Sequence, residues 1–357
     1  MSLHHSLIPA LALAVLFCAN HIELLLPSAS TVLVGLALML AVLSAVHHAE
    51  VVAHRTGEPM GTLVLALAVT VIEVALILSF MLVGDSGKTT LARDTLFAAI
   101  MIICNGVVGL SLLVGGWHHK EQVFRVQGIG PALAALLALS TLSLVLPTFT
   151  TSSSEGTYTP SQLLFVAVSS LALWCAFTFF QTIRHRDYFL PEDATENPQT
   201  HAAPPGRLQA WLSLVALLAC LVAVVGLAKQ LSPHIESTVR SWGAPQTLVG
   251  IAIALLVLMP ETLAALRAAK ANRLQTSLNL ALGSALASIG LTIPAVAIAA
   301  VWLDLPLTLG LESKDLVLLV LTFMVGSITL AHGRTSMMQG AVHLVIFVAF
   351  LFLALVP

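Results

Sequence analysis

The sequence predicts an all-α, polytopic membrane protein with eleven transmembrane helices. Of its 357 residues, 58% are hydrophobic and only 9% are charged, whereas about 25% of residues are charged in a typical soluble domain. Apolar runs of about 20 residues, the length that crosses a bilayer as a helix, recur along the chain. They lack strand alternation and are too long for barrel strands, so helices are expected to satisfy their backbone hydrogen bonds in lipid.

The predicted spans follow one another with short polar breaks and one long break. The first span lacks a Lys/Arg-rich segment before it and a clear small-residue cleavage site, so we expect it to stay as a helix rather than act as a signal peptide. The eleven spans are residues 7–26, 31–47, 60–83, 92–116, 128–147, 161–183, 208–231, 244–267, 275–302, 315–331 and 338–356.

The long break divides the spans into two halves. Residues 184–207 hold four acidic residues and four prolines, a composition typical of a linker. Five spans follow it and six precede it, so the first span is an extra. The predicted domains are an extra N-terminal helix (1–28), a five-helix repeat (29–183), a cytoplasmic linker (184–207) and a second five-helix repeat (208–357).

The two halves also resemble each other in sequence. Residues 61–73 align with residues 249–261 so that the glutamates Glu73 and Glu261 coincide. Apolar strings match easily by chance, but here each half places its single mid-membrane carboxylate in the same ordinal helix. An odd number of spans per half inverts the second copy, and such inverted repeats place binding sites near the midplane.

The distribution of Lys and Arg over the loops predicts the orientation, because cytoplasmic loops carry the excess. The N-terminal side has ten: Arg55, Lys120, Arg125, Arg184, Arg186, Arg207, Arg267, Lys270, Arg273 and Arg334. The opposite side has five: Lys88, Arg93, Lys229, Arg240 and Lys314. We expect a cytoplasmic N-terminus and a periplasmic C-terminus in a bacterial inner membrane.

Glu73 and Glu261 are the main candidate site residues, for cations and for protons. A charge at the bilayer centre costs roughly 2.5–3.5 kcal/mol on insertion scales, so such residues usually face a protein interior or an ion path. If the two converge, one divalent cation or two protons would neutralise them, while the empty site would carry two charges. That asymmetry favours exchange over leak. The alternative is a pair of protonated core carboxyls.

Hard cations such as Ca²⁺ bind six to eight oxygens, so further ligands are expected. Asn105, Ser284 and Thr70 are the nearest candidates, although small and polar residues also mediate ordinary helix packing in membranes. Asn279 and Ser288 continue the polar stripe of Ser284 and are weaker candidates. Because Pro260 has no amide hydrogen, the backbone carbonyl of Leu256 is another candidate ligand, with a plain proline kink as the alternative.

Other polar residues allow further hypotheses. His343, inside the last span, is a candidate proton relay because its unperturbed pKa is near 6.5; a packing histidine is the alternative. Glu50 and His54 have the i, i+4 spacing of a metal pair and would support an intramembrane enzyme. The four cysteines are scattered singly, which argues against disulfides and a thiolate metal site. The net charge of −2 hides no basic face for nucleic acid.

Several segments together resemble the calcium/proton exchanger family of the calcium:cation antiporter superfamily, in its bacterial calcium/proton and sodium-potassium/proton antiporter branch. They are His48-Ala-Glu-Val-Val-Ala53, residues 57–73, residues 260–269, residues 272–275, residues 282–294 and Gly333-Arg-Thr with His343-Leu. The resemblance implies an eleven-helix antiporter with one extra helix and two inverted five-helix repeats. The family's paired ion-binding glutamates match Glu73 and Glu261, and polar residues on the following helices match Asn105 and Ser284.

The sequence departs from this family at one point. Calcium-selective members carry Gly-Asn-Ala-x-Glu in both repeats, whereas this chain has Val-Thr-Val-Ile-Glu at 69–73 and Val-Leu-Met-Pro-Glu at 257–261. The loss of both amide side chains removes two expected ligands or hydrogen-bond partners, and it makes strict calcium selectivity doubtful.

The sequence thus predicts a secondary antiporter, not an enzyme, that exchanges cytoplasmic Ca²⁺, Na⁺ or K⁺ for protons by alternating access. These ions are transported and are not cofactors, and no cofactor is expected. The expected partners are inorganic cations, protons and the lipid bilayer, with a homo-oligomer left open. The main alternative is a passive cation channel that uses the same carboxylates, although channels usually need rings of them from several subunits.

Overall fold

The computed structural model describes residues 3–25, 27–57, 60–83, 89–189, 205–241, 243 and 245–356. These residues form eleven long helices and one short antiparallel pair of strands. In chain order the elements are α1 (Leu3–Leu25), α2 (Pro27–Thr56), α3 (Met60–Val83), α4 (Leu91–His119), β1 (Glu121–Val123), α5 (Val126–Phe149), α6 (Pro160–Arg184), α7 (Arg207–Ser241), α8 (Thr247–Lys270), α9 (Leu274–Trp302), α10 (Ser313–Leu330), β2 (Arg334–Ser336) and α11 (Met337–Leu355).

The prediction of an all-α, polytopic membrane protein is confirmed. Within the described residues, ten helices are long and apolar enough to cross a membrane, and α1 has a shorter apolar segment, Leu7–Cys18. Some helices run beyond their predicted ends. α2 continues to Thr56 because the residues after its apolar run are compatible with a helix, and it ends before Gly57, whose φ of +71° favours glycine.

The chain folds into two compact units. The first comprises α1, α2, α3 and α7, and the second comprises α4, α5, α6, α8 from Gly250, α9, α10 and α11. Each unit therefore takes helices from both sides of the predicted linker. Residues 190–204 of that linker lie outside the described residues, and the repeat boundaries remain predictions.

In the first unit, α2 packs against α1, α3 and α7. Its inner face carries Ala41, Ala45 and Ala49, which are fully buried and recur every four residues. Small side chains at this spacing let helices approach closely in a membrane. α1 and α7 also lie close together, since a Cβ atom at Gly226 would lie 2.6 Å from the Leu16 methyl carbons.

In the second unit, α4 is the most buried of the candidate spans, and it packs against α9, α10 and α11. The regular α-helical pattern of α4 changes to a π-helical turn at Ile102–Val107, and α5 and α6 have similar turns. Such turns insert a residue into a helix and are frequent at functional sites. Phe97 of α4 packs edge to face on Phe350 of α11, with ring centroids 5.5 Å apart.

Loop contacts tie together one end of the second unit. We call this region, formed by residues 119–125, 269–279 and 334–336, the tied loop end. β1 pairs with β2, with Gln122 opposite Thr335. The Gln122 Nε2 atom donates to the Ala269 carbonyl at 2.9 Å and to Asn272 Oδ1 at 3.0 Å. Basic residues that the sequence assigns to the cytoplasmic side, including Lys270 and Arg334, therefore gather at one end of this unit.

A buried charge pair lies in the same unit, at the N-terminal end of α4. The Arg93 Nε atom donates to Asp94 Oδ1 at 2.8 Å, and both side chains are less than a tenth exposed. The Arg93 guanidinium also donates to the Gly310 carbonyl at 3.1 Å. Glu312 lies 3.6 Å from it and pairs with Lys314 at 3.5 Å. These contacts fasten the segment before α10 to the start of α4.

Candidate cation site

In the first unit, α3 carries two of the predicted site residues on one face. Glu73 is only 2% exposed and Thr70, one turn earlier, is 6% exposed, whereas Val71 between them is 47% exposed. Positions three residues apart lie on the same side of a helix. The buried face continues with Leu76 and Ile77. An ionised carboxylate is costly to bury unless it is paired and hydrogen-bonded.

In the second unit, α8 carries Glu261, which is half-buried. Pro260 lies inside α8, and the helix continues through it from Thr247 to Lys270. Because proline has no N–H, it cannot donate to the carbonyl of Leu256, and that carbonyl stays a predicted ligand. The start of α8 lies close to α4, since a Cβ atom at Gly250 would lie 2.9 Å from the Thr95 backbone nitrogen.

Asn105 lies in the π-helical turn of α4 and is fully buried. Its Nδ2 atom donates to Thr322 Oγ1 at 2.8 Å, and its Oδ1 atom lies 3.1 Å from His343 Nδ1. The His343 Nε2 atom lies 3.2 Å from Thr329 Oγ1. We call these four residues, Asn105, Thr322, Thr329 and His343, the amide network. It connects α4, α10 and α11.

The structure thus brings together two residues that the sequence singled out for different roles. Asn105 is a predicted cation ligand and His343 a predicted proton relay, and the two are hydrogen-bonded. Thr322 and Thr329 were missed by the sequence interpretation. Their spacing of seven residues puts both on one face of α10, and this periodicity is the signal that could have identified them.

The polar stripe on α9 divides into two parts. Ser284 is half-buried and Ser288 is 6% exposed. Asn279 belongs instead to the tied loop end, because its Nδ2 atom donates to the Phe189 carbonyl at 2.6 Å and its Oδ1 atom accepts from Gln275 at 3.0 Å. These contacts occupy both ends of the Asn279 amide with structural hydrogen bonds.

The hypothesis of an enzyme at Glu50 and His54 gains no support. Both residues are exposed on α2. Among the residues that the structure describes, no group of three or more His, Cys, Asp and Glu side chains could hold a metal ion.

The chain is similar to known transport proteins over nearly its whole length. The family model described as "Sodium/calcium exchanger protein" matches residues 8–183 and 212–356. The "Putative ionic transporter y4hA" of Sinorhizobium fredii (strain NBRC 101917 / NGR234) is 48% identical, over 98% of this chain and 93% of the relative. The "Sodium-potassium/proton antiporter ChaA" of Escherichia coli (strain K12) is 36% identical, over 96% of this chain and 93% of the relative.

Solved structures share the fold. The structure of native YfkE has a TM-score of 0.74 at 17% identity and covers 98% of this chain and 100% of that chain. The H⁺/Ca²⁺ exchanger CAX has a TM-score of 0.69 at 17% identity and covers 98% of this chain and 89% of that chain. At this identity the likeness shows the fold alone. The sequence matches confirm the resemblance seen in the residues, and the chain belongs to the sodium/calcium exchanger protein family.

Proposed function

We propose that the chain is a cation/proton antiporter that exchanges Ca²⁺, Na⁺ or K⁺ for protons, with Glu73 and Glu261 as the groups that bind both. The observation that carries this proposal is the burial of Glu73, which is 2% exposed within a candidate membrane span. A buried intramembrane carboxyl is by default a candidate for an ion or proton pathway. The relatives named as a sodium-potassium/proton antiporter and Ca²⁺/H⁺ antiporters support the same reaction class.

Charge balance explains why such a site would exchange ions rather than leak them. Two ionised carboxylates taken out of water into one site would carry a large desolvation penalty. A divalent cation, two monovalent cations or two protons would each remove the net charge. The loaded forms are therefore the ones that would cross between inward-facing and outward-facing states, and the empty form would be held back. This is alternating access driven by the proton gradient.

The remaining site residues would complete the coordination. Thr70 is on the same buried face of α3 as Glu73, and its hydroxyl is an oxygen ligand of the kind that alkali and alkaline-earth cations use. Asn105 and Ser284 would add side-chain oxygens, and the Leu256 carbonyl would add a backbone oxygen. The sequence also makes His343 a candidate proton relay, and the experiments of the next subsection distinguish that role from a positioning role.

The test is proton flux in proteoliposomes that enclose a pH-sensitive dye. Ca²⁺, Na⁺, K⁺ and Mg²⁺ are added in turn to the wild type, to Glu73→Gln and to Glu261→Gln. We expect a cation-triggered pH change in the wild type that both variants lose while remaining monodisperse. Glu155→Gln is the matched control, because Glu155 is exposed and outside the candidate spans. Substantial exchange by Glu73→Gln would contradict the assignment.

The same vesicles discriminate an antiporter from a passive cation channel. A channel would admit cations with no coupled proton movement, and the resulting current would follow the cation gradient alone. An antiporter would also run backwards, so that an imposed pH gradient would drive cation accumulation. Uphill cation movement in the wild type would exclude the channel.

We further propose a bacterial inner membrane location with the N-terminus cytoplasmic and the C-terminus periplasmic. The supporting observation is the ten-to-five distribution of Lys and Arg over the loops. C-terminal fusions test it: alkaline phosphatase is active only in the periplasm, and green fluorescent protein fluoresces only in the cytoplasm. An active phosphatase fusion with a dark fluorescent fusion is expected, and the reverse pattern would contradict the orientation.

A further inference from the structure

The amide network fixes which way the Asn105 side chain points. The Thr322 hydroxyl donates its single hydrogen to the Leu318 carbonyl one turn earlier, at 2.7 Å. It can therefore only accept from Asn105, 2.8 Å away. The atom of Asn105 that faces Thr322 must be the Nδ2 donor. The other amide atom, which faces His343, is the Oδ1 acceptor.

The same reasoning fixes the His343 ring. Because Asn105 Oδ1 only accepts, the His343 Nδ1 atom 3.1 Å away must carry a hydrogen. In a neutral imidazole the Nε2 atom is then an acceptor, and the Thr329 hydroxyl 3.2 Å away can donate to it. Both ring nitrogens are used, and the ring is only 1% exposed.

The backbone around His343 is held just as closely. A Cβ atom at Gly109 would lie 3.0 Å from the His343 Cβ atom and 3.2 Å from the Gly340 carbonyl oxygen. α4 and α11 therefore approach each other at glycine, and both nitrogens of the His343 ring have partners within 3.2 Å. This makes His343 a rigid support for Asn105 across the contact between the two helices.

We propose that His343 is a positioning residue that holds the Asn105 amide with its carbonyl oxygen available to the transported cation, and so sets the affinity for that cation. This inference builds on the proposed function, in which Asn105 is a ligand. A carbonyl oxygen has two lone pairs, so one can accept from His343 while the other binds a cation. A reversed amide would present its N–H₂ group, which repels a cation, and would break the bonds to both His343 and Thr322.

The decisive comparison is between two isosteric substitutions, His343→Asn and His343→Gln. The Asn amide nitrogen takes the place of Nδ1 and can still donate to Asn105, whereas the Gln amide nitrogen takes the place of Nε2. Neither side chain titrates. A positioning role requires that His343→Asn keeps the cation affinity of the wild type and that His343→Gln loses it. A proton-relay role requires that both variants lose cation-triggered proton flux alike.

The readout is the half-saturating cation concentration and the maximal rate of cation-triggered proton flux in proteoliposomes. For His343→Gln we expect the half-saturating concentration to rise roughly tenfold, the order of effect of one lost hydrogen bond to a buried polar group, with little change in maximal rate. His343→Asn should stay within about twofold of the wild type. In an Asn105→Ala background, His343→Gln should have no further effect, because coupled residues give non-additive changes.

Thr322→Val provides a second test if the His343 variants do not fold. It removes the acceptor that orients Asn105 and should also raise the half-saturating concentration. Thr95→Val is the matched control, because Thr95 is likewise fully buried, donates to the carbonyl four residues earlier at 2.8 Å, and lies outside the amide network.

Equal half-saturating concentrations for Thr322→Val and Thr95→Val would overturn the inference. Wild-type affinity in His343→Gln, or equal loss in both His343 variants, would overturn it as well. Exchange by the wild type and its loss in Glu73→Gln are independent of these results, so the inference can fail while the proposed function stands.

Discussion

Gly109 of α4 and Gly340 of α11 meet backbone to backbone in the second unit. A Cβ atom at Gly340 would lie 2.7 Å from the Gly109 carbonyl oxygen and 2.5 Å from the Leu113 backbone nitrogen. Distances this short leave no room for a methyl group unless one helix moves. The contact brings His343, one turn after Gly340, within hydrogen-bond reach of Asn105, one turn before Gly109.

Gly340→Ala should therefore destabilise the protein. Overpacking of a tight contact costs about 1–3 kcal/mol, and here the opposing atoms are backbone, which cannot rotate away. The measurement is the thermal unfolding midpoint in detergent. Gly326→Ala is the control, because a Cβ atom there meets Leu133 at an ordinary 3.8 Å. Equal midpoints for the two variants would mean that α4 and α11 adjust freely.

The buried pair of Arg93 and Asp94 leads to a second prediction. Arg93→Gln leaves the Asp94 carboxylate buried without its cation, and loss of one partner of a buried pair costs about 3–5 kcal/mol. The double variant Arg93→Gln/Asp94→Asn removes both charges and should recover most of that loss. Thermal unfolding of the single and double variants measures the difference.

Lys314→Gln is the control for the Arg93 prediction. The side chains of Lys314 and Glu312 are 32% and 57% exposed, so the loss of this partly solvated ion pair should change stability by less than about 1 kcal/mol. If Arg93→Gln and the double variant were equally unstable, the packing of the arginine side chain, and not charge compensation, would explain the loss.

The sequence was sufficient for the helices but not for the amide network. Runs of about 20 apolar residues determine where helices form, because lipid leaves the backbone no other hydrogen-bond partners. Asn105 and His343 were each recognised as polar residues within apolar spans, but they are 238 positions apart, and no local pattern encodes their contact. The π-helical turn at Asn105 was also not predicted, since hydropathy carries no signal for one inserted residue.

The tied loop end was missed for a related reason. Gln122 lies between two predicted spans and Gln275 at the start of another, yet they are 3% and 4% exposed. Their partners come from distant segments: Gln122 bonds to Asn272, and Gln275 Oε1 accepts from the Arg125 backbone at 2.7 Å. Long-range polar contacts of this kind become visible only when the helices are assembled.

Gln122 allows a direct test of that loop end. Gln122→Leu keeps the side-chain size but leaves the buried Ala269 carbonyl and the exposed Asn272 side chain without their donor, at a cost of about 1–3 kcal/mol for the buried carbonyl. We expect a lower unfolding midpoint and faster proteolysis near residues 119–125. Gln127→Leu, at an exposed position, should leave both unchanged. A wild-type midpoint for Gln122→Leu would show that the other contacts of these loops, the β1–β2 pairing and the Gln275 hydrogen bond among them, are sufficient without the Gln122 side chain.

The departure from the calcium-selective motif predicts a gain of calcium preference when an amide is restored beside Glu73. Thr70→Asn introduces a carbonyl oxygen on the buried face of α3, and Ca²⁺ favours a larger number of oxygen ligands than the monovalent ions do. A ligand worth 1.4 kcal/mol would raise the ratio of Ca²⁺ to Na⁺ affinity about tenfold. The half-saturating concentrations of both ions in the proteoliposome assay measure this ratio.

Ser79→Asn is the control for the Thr70 prediction, because Ser79 lies on the same helix with the same 6% exposure but about two turns from Glu73. A similar change of selectivity in both variants would mean that the added amide acts through helix packing and not as a ligand, and Thr70 would then lose its place in the proposed site.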